Sequence, residues 1–192
     1  MTRLSPSGPG PLQRLLVVAA LVACVCPSQV RAESVTAPAL KAAFLYNFAK
    51  FTGWPSEALA PERRLALCVF GDHAVADALQ QTIQRREIKG HELTVEIVEA
   101  DAAVFTCHLL YMAGHDASRF APVLEALKSA PVFTVGEAER FVESGGVAQL
   151  VFQNNRMRFA INPLAAERAR LRLSSKLLSL AKIIKDELNV RH

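Results

Sequence analysis

The chain has 192 residues, with 22 Lys+Arg against 18 Asp+Glu, a formal net charge of +4, and four cysteines. Three of the basic residues, Arg3, Arg14 and Arg31, fall in an acid-free N-terminal stretch with the pattern of an export leader. Without it, 19 basic residues face 18 acidic ones, and that balance withdraws compositional support for a nucleic-acid partner.

The leader reading rests on layout. Arg3 and Arg14 give a basic start, Leu15 to Cys26 is apolar and uncharged, and Pro27-Ser28 breaks the run. Val30-Arg31-Ala32 fits a signal-peptidase site, so residues 1–32 are expected to be a signal peptide and 33–192 one α/β domain. The apolar run spans about a dozen residues, short of the roughly 20 that a membrane-spanning helix needs. Leu21-Val22-Ala23-Cys24 also has the form of a lipobox. Two outcomes are therefore open: a free periplasmic domain after Ala32, or a membrane-tethered lipoprotein through Cys24.

Pro38 opens a helical stretch to Phe51, with Leu40, Phe44, Phe48 and Phe51 at helical spacing and Gly53-Trp54-Pro55 as its stop. Leu65 to Phe70 is unbroken apolar sequence of strand length, as in a strand covered on both faces. Gly71-Asp72 turns into a helix from His73 to Arg86, which Asp72 can cap. Glu92 to Val98 alternates like a half-buried strand, and Leu109 to Met112 is a short apolar one. A helix over Phe120–Lys128, a buried strand over Val132–Val135 and a short helix after Gly136-Glu137 follow. Val147–Phe152 and Met157–Ile161 flank Gln153-Asn154-Asn155-Arg156 as a hairpin. Asn162-Pro163 then starts a last helix expected to reach Leu188. Leu173, Leu177, Leu180, Ile184 and Leu188 would form its apolar stripe beside a basic face that includes Arg172 and Lys176. The expected fold is a single α/β domain. Its mainly parallel central sheet is flanked by helices and ends in a C-terminal hairpin and a long terminal helix.

No constellation of catalytic type emerges. There is no glycine-rich phosphate loop, no acidic receiver pocket and no Gly-x-Ser-x-Gly elbow. In Ser174-Ser175-Lys176 the neighbouring side chains diverge by about 100° on a helix. Histidines 73, 91, 108, 115 and 192 lack metal-ligand spacing and are expected to be scattered over the surface. The chain is thus expected to be no enzyme and to use neither metal nor cofactor.

Cys68 and Cys107 are the strongest chemical feature. In an exported domain an even pair favours one disulfide, with two buried thiols as the alternative. A ligand, if bound, belongs beyond the carboxyl ends of the strands, near Gly71, Asp72 and Gly136, while Arg172 and Lys176 form a basic cluster able to hold an acidic group. A small-molecule carrier or sensor is the function these positions would serve.

Several segments stand in order along the chain: Lys41-Ala-Ala-Phe-Leu-Tyr-Asn-Phe-Ala-Lys-Phe-Thr-Gly-Trp-Pro55, Leu67-Cys-Val-Phe-Gly-Asp72, Cys107-His-Leu-Leu-Tyr111 and Gly145-Gly146. Asn155-Arg-Met-Arg-Phe-Ala-Ile-Asn162 and Leu171-Arg-Leu-Ser-Ser-Lys-Leu-Leu178 complete the set. Together, in this order, they resemble the YfiR family of periplasmic regulators. The resemblance implies a repressor that binds the periplasmic sensor region of a membrane diguanylate cyclase, lowering cyclic-di-GMP and biofilm formation. It also implies sequestration by an outer-membrane lipoprotein, a homodimer, and redox-sensitive disulfides. Cys68 and Cys107 match one family pair; a second pair found in some members has no counterpart, since no cysteine follows Cys107.

Overall fold

The computed structural model describes residues 36–184 apart from 100 and 155. The leader, Cys24 and the expected helix end at Leu188 lie outside these residues.

The chain opens with helix α1 (Ala37–Lys50), N-capped by Thr36, whose hydroxyl accepts from the Ala39 amide. Strand β1 (Thr52–Gly53) follows, then β2 (Leu65–Phe70), α2 (His73–Ile83), β3 (Glu87–Ile88), β4 (His91–Val98), a 3-10 turn (Asp101–Thr106) and β5 (Leu109–Met112). Next come α3 (Ala117–Ala126), β6 (Phe133–Gly136), β7 (Ala148–Gln153) and β8 (Arg156–Ile161). The last elements are α4 (Pro163–Arg168), β9 (Arg172–Leu173), α5 (Ser175–Leu178) and β10 (Lys182–Ile183).

Eight strands form one sheet in the order β10-β8-β7-β6-β5-β2-β4-β3. The five central strands, β4, β2, β5, β6 and β7, run parallel; β8 returns antiparallel to β7, and β3 is antiparallel to β4. The period-2 alternation of β2 feeds two cores. Leu65, Leu67 and Val69 join α1 and α2 on one face, while Cys68 and Phe70 join α3 on the other. On the first face Phe48 of α1 packs against Phe133 at 5.5 Å and Phe159 at 5.1 Å between ring centroids. The apolar face of α1 is built from Ala42, Leu45, Phe48 and Ala49; Phe44 and Phe51 of the expected stripe are only partly buried.

Three expectations fail for identifiable reasons. The helix after Asp72 stops at Ile83, and Arg85 takes a positive φ. Glu87–Ile88 instead pairs with Glu92–His91 across Lys89-Gly90, both at positive φ, which is the two-residue hairpin turn that matches strand twist. The segment after Glu137 forms turns and no helix. There the Phe141 ring is wedged against Gly136 and Gly146, where any Cβ would overlap it.

The long terminal helix is the largest correction. α4 ends after one and a half turns at a Schellman cap: Arg170 adopts φ +55, its amide donates to Glu167 O, and the Leu171 amide donates to Ala166 O. Arg172–Leu173 then pairs with Thr52–Gly53, Ser174 caps the short α5 through the Leu177 amide, and Lys182–Ile183 adds to β8. Of the leucines expected to form one stripe, Leu173 falls in β9, Leu177 in α5 and Leu180 in the turn after it, and Leu180 is exposed.

Candidate functional site

The topology marks one place for a site. β2 leads through α2 to β4 on one side, and the chain then crosses back to place β5 on the other side of β2. Open α/β sheets bind ligands at the carboxyl ends of strands where the order reverses in this way.

A polar cluster occupies that end. Side chains lean toward a helix N-terminus, so Lys41, on the second turn of α1, reaches over the strand ends. Its Nζ lies 2.7 Å from Glu137 Oε1 and 4.0 Å from Asp72 Oδ2. Tyr111, on β5, donates its hydroxyl to the same Glu137 Oε1 at 2.6 Å. Asp72 Oδ1 accepts from the Val75 amide and caps α2 as expected. His115 Nδ1 is 3.3 Å from the Glu137 carbonyl oxygen. Burial first, then the Glu137 carboxylate, pushes the Tyr111 hydroxyl far above its ordinary range. Tyr111 is therefore a neutral donor, and the cluster is a charge-assisted hydrogen-bond network centred on one oxygen.

The opposite end of the sheet holds a second arrangement. His108, read from the sequence as a surface residue, is buried. Its Nδ1 accepts from the Ala66 amide at 3.0 Å, so Nε2–H donates to Ala58 O at 3.1 Å and the ring is neutral. Burial lowers its pKa. Its carbonyl oxygen accepts from Trp54 Nε1 at 3.0 Å. Beside it Cys68 and Cys107 form a disulfide with a Cα–Cα distance of 5.8 Å, tying β2 to the segment entering β5. Cys107 and His108 also line a cavity of about 440 Å³ with Arg63, Arg64 and Phe105.

The expected site residues fall into two groups. Gly71 and Asp72 follow β2, and Gly136 ends β6, all at the carboxyl end. The space left by the missing Gly136 side chain is filled by Phe141. Arg172 faces Gly53 on the β1–β9 ribbon, and the Lys176 ammonium lies 5.4 Å from the centroid of the Phe51 ring. Both belong to the far end of α1, about 15 Å along its axis from Lys41. The sequence alone does not single out Lys41, Tyr111 or Glu137. The first two lie inside family-like segments, but Glu137 carried no signal beyond following a strand. Among the described residues no group of three or more His, Cys, Asp or Glu is placed to hold a metal ion, and no helix is long and apolar enough to cross a membrane.

No curated protein sequence matches the chain significantly. Among solved structures, a conserved domain protein from Vibrio cholerae O1 biovar El Tor is similar at 18% identity and a TM-score of 0.43. The match covers 68% of this chain and 57% of that one. A family model described as YfiR/HmsC-like matches residues 38–182, from the first turn of α1 into β10. With its motifs carried in order across all of the described fold, the chain belongs to the YfiR/HmsC-like family.

Proposed function

We propose that this protein is a periplasmic repressor of a membrane-bound diguanylate cyclase. The observation that carries the reading is the family match over residues 38–182. The family is regulatory, and regulation of this kind is stoichiometric. The protein binds the periplasmic sensor region of the cyclase more tightly in its inactive conformation, and only that difference in affinity shifts the partner. Moving an even equilibrium to 99:1 takes a difference of about 100-fold, or about 2.7 kcal/mol.

In this reading residues 1–32 are removed on export and 33–192 form the working domain, with lipidation at Cys24 as the alternative route. Arg172 and Lys176 are exposed at the amino end of the sheet, where they suit contact with an acidic partner surface. An outer-membrane lipoprotein would relieve repression by competing for the protein, and a second copy of the chain is a further candidate partner.

Deleting the gene is expected to raise cellular cyclic-di-GMP, and affinity capture from envelope extracts should recover a membrane protein with a cyclase domain. An unchanged cyclic-di-GMP level in the deletion strain would overturn the proposal.

A further inference from the structure

The carboxyl-end cluster opens onto a cleft of about 600 Å³ between the first turn of α1 and the outer end of β7. That volume lies within the range of small-ligand sites, roughly 300–1,000 Å³. Its walls are of two kinds. Lys41, Glu137, Glu139 and His115 supply polar groups, and Phe152 and Met157 supply apolar surface. Phe152 is 65% exposed, an unusual position for a large aromatic ring at the mouth of a cleft.

Charge decides what the cleft can accept. The Lys41 ammonium is already held by Glu137 and faces Asp72, and its side chain is 19% exposed. An incoming anion would have to displace Glu137 from it and leave that carboxylate, at 12% exposure, with the Tyr111 hydroxyl but without a counter-ion. Glu139 adds an exposed carboxylate to the rim. The cleft and its back wall thus hold three carboxylates, Asp72, Glu137 and Glu139, against one ammonium. The N-termini of α1 and of α2, which Asp72 caps, contribute about half a positive charge each, and the sum stays negative. Both donors to Glu137 converge on Oε1, which leaves Oε2 to a further donor.

We propose that this cleft binds a small organic cation, with its ammonium head between Glu137 and Glu139 and its flat apolar body against the Phe152 ring. Ring stacking on Phe152 and the glutamate carboxylates act on opposite ends of such a molecule, and the partial burial of Glu137 strengthens the charge attraction. The proposal goes beyond the repressor reading and stands apart from it, because the test needs only the purified protein.

Three probes of the same shape separate charge from hydrophobicity: 2-phenylethylammonium, 2-phenylethanol and phenylacetate. Calorimetric titration is expected to show saturable binding of the ammonium compound below about 10 mM, at least tenfold tighter than the alcohol or the acid. Glu139→Gln and Phe152→Ala, both at exposed positions, should each weaken it several-fold with melting temperature unchanged. Glu137→Gln should weaken it about tenfold, and its melting curve reports whether the fold survives. Absence of saturable ammonium binding in this range would overturn the proposal. So would equal binding of phenylacetate, or affinity unaffected by both surface substitutions. None of these failures bears on the cyclase, whose regulation is read in cells.

Discussion

Opening the Cys68–Cys107 bridge should lower stability by an amount that the chain's own spacing sets. The cysteines are 39 residues apart, and closing a loop of that size removes denatured-state entropy worth roughly 4 kcal/mol. For a domain of about 150 residues each kcal/mol shifts the melting temperature by about 2–4 °C, so the reduced protein should melt about 8–16 °C lower. Cys68 is fully buried and Cys107 nearly so, so a reductant gains access mainly through opening of the domain. The assay therefore compares oxidised protein with protein unfolded in reductant and refolded with its thiols kept reduced. Free thiols nearly preserve the volume of the bridge, which keeps cavity effects out of the comparison. A Cys68→Ala/Cys107→Ala variant should melt at or below the reduced protein, since it also loses packing in the core shared with Leu110 and Phe120. Oxidised and reduced forms that melt within about 3 °C of each other would refute the argument and show that the bridge constrains little.

Three further outcomes follow from the packing and the polar networks. Gly136→Ala should destabilise by about 1–3 kcal/mol in urea denaturation, because the new Cβ overlaps the Phe141 ring; with Phe141→Leu added, the combined loss should fall short of the sum. Tyr111→Phe keeps the buried ring and removes only its hydrogen bond to Glu137, at a cost of about 1.5 kcal/mol, with Lys41 still satisfying Oε1. His108 titrates lower in the folded protein than in the unfolded chain, so as pH falls the unfolded chain takes up the proton first. Its contribution is complete above about pH 6.5 and declines below it. Between about pH 7.5 and pH 5 the wild type should therefore lose more melting temperature than His108→Asn, whose amide oxygen can still accept from Ala66 N–H without gaining charge.

Much of the fold is legible in the sequence because its signals are local. Leu65–Phe70 and Leu109–Met112 coincide with strands because both faces of the sheet are covered, so their apolar runs are uninterrupted. Asn162-Pro163 reads as a helix start because the cap is made by the residue itself: Asn162 Oδ1 accepts from the Ala165 amide, while its Nδ2 donates to Val142 O. The terminal segment is illegible for the opposite reason. An arginine takes the left-handed position usually held by glycine, so no residue type announces the end of α4 at Arg170. Two-residue strands such as Arg172–Leu173 exist only because Thr52–Gly53 lies opposite, and the leucine periodicity carries no trace of that partner. The site divides in the same way. Gly71-Asp72 and Gly136 are visible as strand ends, but the network joins Lys41 to a glutamate nearly a hundred residues away. His108 reads as a surface residue because a buried histidine is recognised by two backbone partners, Ala66 and Ala58, that only the fold supplies.

These contacts give α1 a particular place in the molecule. β2 and β5 are joined by a parallel ladder and by the disulfide, so the centre of the sheet is fixed covalently as well as by burial. α1 rests on that sheet through Phe48 and is tied at both ends by polar contacts: Lys41 to Glu137 and Asp72 at one, and the following Trp54 to the His108 carbonyl at the other. A close-packed helix moves as a unit, since side chains interdigitated at this density slip between discrete positions more readily than they deform. A charge arriving beside Glu137 competes with Lys41 for the same carboxylate. The cleft and the exposed basic residues Arg172 and Lys176 thus lie at opposite ends of one helix, about 15 Å apart along its axis, and α1 is the element whose packing on the sheet holds both in place.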